Sequence, residues 1–173
     1  MSENPPVYLI DGSAYFYRAY HAVAPLTTAN GLPTHAAYGF TNILLRVMKE
    51  KSPEFLAVAF DAKGPNFRHK MYSDYKANRP PMPDELVVQL PFIRKVVEGL
   101  NIQILEKQGY EADDIIGTLA KTGGEQGYKV IMVTGVENGE TIEEARSLGI
   151  SGYIHKPLVL DELEKVVLKE LQG

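Results

Sequence analysis

The sequence predicts one α/β domain built on a parallel sheet with helices on both faces. Five short apolar runs alternate with segments of helical period, and that alternation is the mark of βαβ units. The chain has 173 residues, 45% apolar and 23% charged, which suits one soluble domain with a sizeable core. Acids stand at the ends of the apolar runs, where a parallel sheet presents its carboxyl edge.

The elements follow in order. Residues 7–11 are an apolar run closed by Asp-Gly, a buried strand and its turn. Residues 13–24 carry aromatics around Arg18 and read as a helical turn. Residues 35–51 place Tyr38, Phe40, Ile43, Leu44 and Val47 at helical spacing, and Pro53 ends the segment. Residues 55–60 are a second buried strand. Residues 62–84 have no apolar period and hold Pro65, Pro80, Pro81 and Pro83, so a partly helical excursion is expected there. Asp84 is placed to cap a helix over 85–99 that stops at Gly99. A third strand is expected at 101–105. A helix at 111–122 has acids in its first turn, where the macrodipole favours them. Gly123, Gly124 and Gly127 mark the following loop. A fourth strand is expected at 129–134, a helix at 141–148, a fifth strand at 152–155 and a closing helix at 161–171.

Composition excludes several chemistries. There is no cysteine, so disulfides, thiolate metal sites and cysteine nucleophiles are absent. A reducing cytoplasm fits such a chain. No apolar run is long enough to span a bilayer, and no signal-peptide pattern is present. The formal net charge of −4 argues against a generally basic nucleic-acid binder. Its distribution is uneven. Lys63, Arg68, His69, Lys70, Lys76 and Arg79 face one acid, Asp74, over 63–79, with Phe67, Tyr72 and Tyr75 among them. Glu137, Glu140, Glu143 and Glu144 have no base nearby in sequence.

The candidate functional residues are five carboxylates. Asp11 closes Val-Tyr-Leu-Ile-Asp-Gly (7–12), and Asp61 closes Phe-Leu-Ala-Val-Ala-Phe-Asp (55–61). Glu111, Asp113 and Asp114 open Glu-Ala-Asp-Asp-Ile-Ile-Gly (111–117). Gathered on one sheet edge, they would repel one another unless a divalent cation neutralised them. Hard oxygen ligands suit Mg²⁺ or Mn²⁺. Each feature alone has a plainer reading: a turn aspartate, a dipole-complementing acid pair, a solvated basic loop.

Four motifs occur together and in order. They are Leu-Ile-Asp-Gly-Ser-Ala-Tyr-Phe-Tyr-Arg-Ala-Tyr-His-Ala (9–22), Phe-Asp-Ala-Lys-Gly-Pro-Asn-Phe-Arg (60–68), Tyr-Lys-Ala-Asn-Arg-Pro-Pro-Met-Pro (75–83) and Tyr-Glu-Ala-Asp-Asp-Ile-Ile-Gly-Thr-Leu-Ala (110–120). Through them, residues 7–135 resemble the 5′-nuclease domain of bacterial DNA polymerase I, within the flap-endonuclease group of PIN-like folds. The resemblance implies a two-ion phosphodiesterase. Asp11, Asp61, Glu111, Asp113 and Asp114 then match metal ligands. Asp11, Asp61 and Arg18 form the catalytic set, with Arg18 near the scissile phosphate. Residues 63–83 match a helical arch around DNA with a single-stranded 5′ end. Lys63, Arg68, Lys76 and Arg79 would meet phosphates, and Tyr75 would stack on a base. The family continues Thr-Gly-Asp-x-Asp after the fourth strand, whereas this chain has Thr134-Gly135-Val136-Glu137-Asn138. Val136 cannot bind a metal and Asn138 is a weaker ligand. The family's later acids and its helix-hairpin-helix are also missing from the sequence.

Residues 128–173 resemble the last third of a response-regulator receiver domain, a flavodoxin-like fold. The carrying segments are Val-Ile-Met-Val-Thr-Gly (130–135), Ala-Arg-Ser-Leu-Gly-Ile-Ser-Gly-Tyr-Ile-His-Lys-Pro-Leu (145–158) and Asp-Glu-Leu-Glu-Lys-Val-Val (161–167). Thr134, Tyr153, Lys156 and Pro157 match that family's switch and phosphoryl-binding residues. The two resemblances imply one three-layer hybrid domain over 1–173, with order 3-2-1-4-5 and a join near 130. The expectation is an engineered chimera without efficient catalysis. The alternatives are a residual Mg²⁺-dependent 5′-nuclease or single-strand DNA binder, and a phosphoacceptor at Asp11. Lys156 is expected to meet Asp11 or Asp61 at the sheet edge. Neither a membrane nor a specific protein partner is expected.

Overall fold

The computed structural model describes residues 4–72, 74–134, 147 and 150–154. Along them run β1 (Val7–Asp11), α1 (Gly12–Ala22), α2 (His35–Lys51), β2 (Phe55–Ala59), α3 (Phe67–Met71), α4 (Asp84–Val87), α5 (Leu90–Gly99), β3 (Gln103–Leu105), α6 (Ala112–Glu125), β4 (Val130–Val133) and β5 (Gly152–Ile154). The helix expected over 161–171 lies outside the described residues, and of that expected over 141–148 only Ser147, which is helical, is described. Val136, Glu137, Asn138, Lys156 and Pro157, and the side chain of Tyr153, also lie outside them. No helix among the described residues is long and apolar enough to cross a membrane.

Four parallel strands in the order β3-β2-β1-β4 make the body of the sheet, the first four places of the expected five-stranded order 3-2-1-4-5. At its edge, Gly152–Ile154 pairs in parallel with Ile131–Val133 of β4, a three-residue backbone ladder. In register, Ile10 of β1 stands between Val58 of β2 and Val133 of β4.

Side chains alternate across a strand, so each strand serves two layers. Tyr8, Ile10, Val58, Phe60, Ile131 and Val133 point to one face and pack with α1, α2 and α5. Leu9, Ala57, Ala59, Val130 and Met132 point to the other and pack with α6. Continuing the same alternation places Asp11, Asp61 and Thr134 on the α6 face at the carboxyl edge. Thr134 is fully buried there.

α2 forms where its apolar period predicts, 35–51. Ala36, Phe40, Ile43, Leu44 and Val47 are buried along one stripe. α1 is a full eleven-residue helix rather than the turn expected, because Asp11 caps it and Tyr15, Phe16 and Ala19 bury its inner face. Its first residue must be small: a Cβ on Gly12 would lie 2.7 Å from Val58 Cγ1 and 2.6 Å from Phe60 Cε1.

The single helix expected over 85–99 is two helices. Pro91 has no N–H to give the Val87 carbonyl, so the ladder is interrupted at Val88-Gln89. The fully buried Gln89 turns inward at the break. Its Oε1 accepts from the backbone N–H of Ala36 at 2.8 Å and of Ala37 at 3.1 Å, and its Nε2 donates to the Glu85 carbonyl at 2.8 Å. It thereby caps α2, whose own N-cap Thr34 makes no side-chain cap bond. Asp84 is the first helical residue and Pro83 is the cap. α6 runs past Thr122 through two glycines. At Gly123 a Cβ would lie 3.0 Å from Val130 Cγ2, so the absent side chain lets the helix end lie close to β4. That packing outweighs a glycine penalty of about 1 kcal/mol per residue.

Candidate metal centre

Four of the five carboxylates line a cleft of about 420 Å³ at the carboxyl edge of the sheet. They are Asp11, Asp61, Glu111 and Asp113, and Ser13, Tyr17, Lys76 and Arg79 line it with them. Asp11 ends β1, and its Oδ1 accepts from the Ala14 N–H at 2.9 Å, so the same carboxylate caps α1. Ser13 Oγ accepts from the Asp61 N–H at 2.9 Å and fixes the turn after β2. Asp61 Oδ1 then accepts from the Ala112 N–H at 2.7 Å, at the N-terminus of α6. Asp11, Asp61 and Asp113 are thus anchored by a backbone N–H or a helix, not by a cation. No ion pair within 4 Å reaches any of these three among the described residues.

Their electrostatics follow from that. Burial pushes the Asp11 carboxyl up to about 7, and repulsion from Asp113 and Asp61 adds to it against the Ala14 hydrogen bond. Asp113 is also pushed up, by partial loss of water around its carboxyl and then by the charges of Asp61 and Glu111.

Glu111, although it lines the cleft, and Asp114 are bonded to the basic segment. Glu111 Oε1 accepts from Asn66 Nδ2 at 2.6 Å and Lys76 Nζ at 2.7 Å, and its Oε2 accepts from the Tyr75 hydroxyl at 3.0 Å. Arg68 Nη1 lies 3.7 Å from the same Oε2. Arg68 also grips Asp114 as a fork, with Nη1 to Oδ2 at 2.8 Å and Nη2 to Oδ1 at 2.6 Å. Asp114 Oδ2 accepts from the Glu111 N–H at 2.9 Å, which closes the first turn of α6. Burial works to raise both acids, but their cations outweigh it. Lys76 and Tyr75 hold the Glu111 carboxyl below its ordinary value, and Arg68 does the same for Asp114. The Asp114 hydrogen bond in turn raises Arg68.

The basic segment is shaped for this contact. Asn66 is buried and caps α3: its Oδ1 accepts from the His69 N–H at 3.2 Å, and His69 Nδ1 lies 2.7 Å from the same oxygen. The Arg68 guanidinium lies 4.6 Å from the Phe67 ring centre, and the His69 ring meets Tyr75 edge-on at 5.4 Å. Lys76 adopts φ +56°, a left-handed conformation that a residue with a Cβ takes up at a cost.

The five acids therefore differ in their partners rather than in their place at the sheet edge. Among the described residues, no three acids or histidines converge on one point as a ready ion cage. The physical reason is competition: two acids are occupied by protein cations, and Asp11 and Asp61 by helix N-termini. Hard, anionic and partly desolvated oxygens still fit a divalent ion chemically. Of the expected nucleic-acid set, Lys76 and Arg79 line the cleft, Tyr75 and Arg68 stand behind it, and Lys63 is exposed on the loop before α3. Arg18 is half-buried on α1 and outside the cleft lining. Two polar residues were not singled out from sequence, Asn66 and Ser13. Asn66 had a legible signal, an Asn three residues before His69 in a cap pattern. Ser13 had only its place beside Asp11.

Residues 6–137 match the family described as 5′-3′ exonuclease, N-terminal resolvase-like domain. The chain is 48% identical over 135 residues to DNA polymerase I of Pseudomonas aeruginosa, covering 78% of this chain and 15% of the relative. It is 45% identical over 127 residues to DNA polymerase I of Caldicellulosiruptor bescii, covering 73% and 15%. It is 44% identical over 124 residues to the 5′-3′ exonuclease of Aquifex aeolicus, covering 72% and 43%. The chain thus spans less than half the length of each of these relatives. Among solved structures, the T5 D15 protein co-crystallised with metal ions superposes with a TM-score of 0.58 at 17% identity, over 87% of this chain and 53% of that one. The T5 5′-exonuclease with bound zinc gives 0.55 at 19% identity, over 75% and 48%. A T5 flap endonuclease complex with DNA and metal ions gives 0.53 at 18% identity, over 75% and 48%. Sheet order, carboxyl-edge acids and sequence identity agree: the chain belongs to the 5′-3′ exonuclease N-terminal family, the family of the nuclease domain of bacterial DNA polymerase I.

Proposed function

We propose that this chain carries the acid pole of a divalent-metal-dependent 5′-nuclease acting on DNA with a single-stranded 5′ end. The observation that carries the reading is the cleft in which Asp11, Asp61 and Asp113 lie under Lys76 and Arg79. Asp11, Asp61 and Asp113 would hold Mg²⁺ or Mn²⁺, joined by Glu111 and Asp114 once their present partners release them. An ion held there would supply activation of water for hydrolysis and charge for the phosphate. The chain's own groups do the rest. Ser13 and the N-terminus of α6 keep the Asp61 carboxylate at the edge. Lys76 and Arg79 supply positive charge to a phosphodiester entering the cleft, and Lys63, Arg68 and Tyr75 extend that surface. Titration of a labelled 5′-flap DNA with MnCl₂ against EDTA tests the reading. Metal-dependent cleavage that Asp11→Asn abolishes is expected, weakened by Val136 and Asn138 where the family resemblance implies acids. Cleavage that persists in Asp11→Asn sinks it.

A second reading concerns the chain after the family match, which stops at residue 137. The receiver resemblance of 128–173 supports a hybrid that folds as one unit with little catalysis, with Thr134, Tyr153 and Lys156 from the second parent. A phosphoacceptor role for Asp11 belongs to this reading. One cooperative unfolding transition supports the single unit. Two separate transitions contradict it.

A further inference from the structure

The side-chain donors on Glu111 come from one short stretch of chain: Asn66, Tyr75 and Lys76. The fork on Asp114 comes from the same stretch, through Arg68. Two donors already occupy Oε1 of Glu111, and both oxygens of Asp114 are taken. A carboxylate has about four lone-pair directions, so little capacity is left for an ion. The cations are not deeply sealed: Arg68 and Lys76 keep about a third of their side-chain surface in water. Ion pairs of that exposure are weak and exchangeable. The backbone at Lys76 is left-handed, a conformation kept only while the contacts around it hold.

We propose that the segment from Asn66 to Lys76 is an internal counter-ion clamp. In the metal-free protein its cations occupy the Glu111 and Asp114 oxygens, so uptake of a divalent ion by those acids and release of the segment are one exchange. This rests on the nuclease reading and takes it further, naming what competes with the ion at that site. The exchange conserves charge locally. An ammonium and a guanidinium leave two carboxylates as a doubly charged ion arrives, and the freed cations become available to a phosphate. Metal loading would then prime the basic segment for nucleic acid, with no separate trigger.

The test uses the full chain with Mg²⁺ or Mn²⁺ alone. Ion binding is followed by calorimetry, and backbone hydrogen exchange is followed over residues 66–79. Saturating ion is expected to speed exchange in that segment while leaving β1 and β2 protected. Lys76→Met is expected to exchange fast in the segment without ion and to bind Mn²⁺ about tenfold more tightly, since the competing charge is gone. Removing a positive charge could tighten binding by itself, so exchange in the unaltered chain is the deciding readout and needs no variant to fold. Ion binding with unchanged exchange over 66–79 overturns the clamp and leaves the nuclease reading standing. No detectable ion binding overturns both.

Discussion

The two groups of acids differ in what neutralises them, although α6 serves both. Asp11 and Asp61 accept from backbone N–H groups at helix N-termini, and Asp113 lies in the first turn of α6 without an ion pair to a described residue. Glu111 and Asp114, in the same turn on either side of Asp113, are held by an ammonium, a guanidinium, an amide and a phenol. Burial acts on both groups in the same direction, and the outcome is opposite. Asp11 and Asp113 are raised, Glu111 and Asp114 lowered. Acid sequence alone does not set the charge state of a carboxylate; the nearest cation does.

The largest expected effect tests whether the shared helix, rather than either acid group, holds the edge together. Ile116 is 1% exposed on α6 and packs against the sheet. Ile116→Ala should cost about 2–5 kcal/mol in urea unfolding. A loss below about 1 kcal/mol would mean that the polar contacts at the α6 N-terminus anchor it instead.

Next comes the cleft group. The Asp11 value of about 7 lies above its ordinary 3.8, so the folded state holds this proton more tightly than the unfolded one. Its contribution to stability is complete below about pH 4 and is lost as pH rises through about 7. Asp11→Asn keeps an oxygen to cap α1 and removes the titration. In EDTA the variant should gain on the order of 2–4 kcal/mol over the parent at pH 8 and little at pH 4, read from melting curves. Equal gains at both pH values would break the contrast. Glu111 and Asp114 should behave oppositely, their contribution being present at neutral pH and lost only as pH falls through their lowered values.

Smaller effects belong to the clamped group. Arg68→Ala should cost about 1 kcal/mol, because the guanidinium is partly exposed and the fork is shielded by water and salt. Arg68→Lys should recover only part of that, since an ammonium cannot make the fork. Lys63 is exposed with no hydrogen bond or ion pair to a described residue, and Lys63→Ala should stay within about 0.5 kcal/mol. A salt-independent loss in Arg68→Ala would show that its packing on Phe67, not its charge, matters more.

Much of the fold was legible because local pattern and burial agree. α2 could be bounded from 35 to 51 by its apolar stripe alone, and β1 and β2 by their apolar runs. The helix over 85–99 was misjudged because its apolar period continues through a break. Only Pro91 hinted at that break, and only Gln89 reaching α2, fifty-three residues earlier at Ala36, gives it a purpose. Glycines 123 and 124 suggested a loop by propensity, but both are helical, and Gly123 lies close to Val130.

By itself the sequence determined the parallel sheet, the order of its four-strand body and the gathering of acids at the carboxyl edge. Strand alternation fixes the face that Asp11 and Asp61 take at the strand ends. The tertiary structure decided how those acids are spent. Contacts spanning thirty-five to forty-six residues pair Lys76 and Asn66 with Glu111 and Arg68 with Asp114, while Asp11 makes no ion pair to a described residue. No local pattern encodes that choice, because an ion pair depends on distance in space and on how much water the fold removes around it.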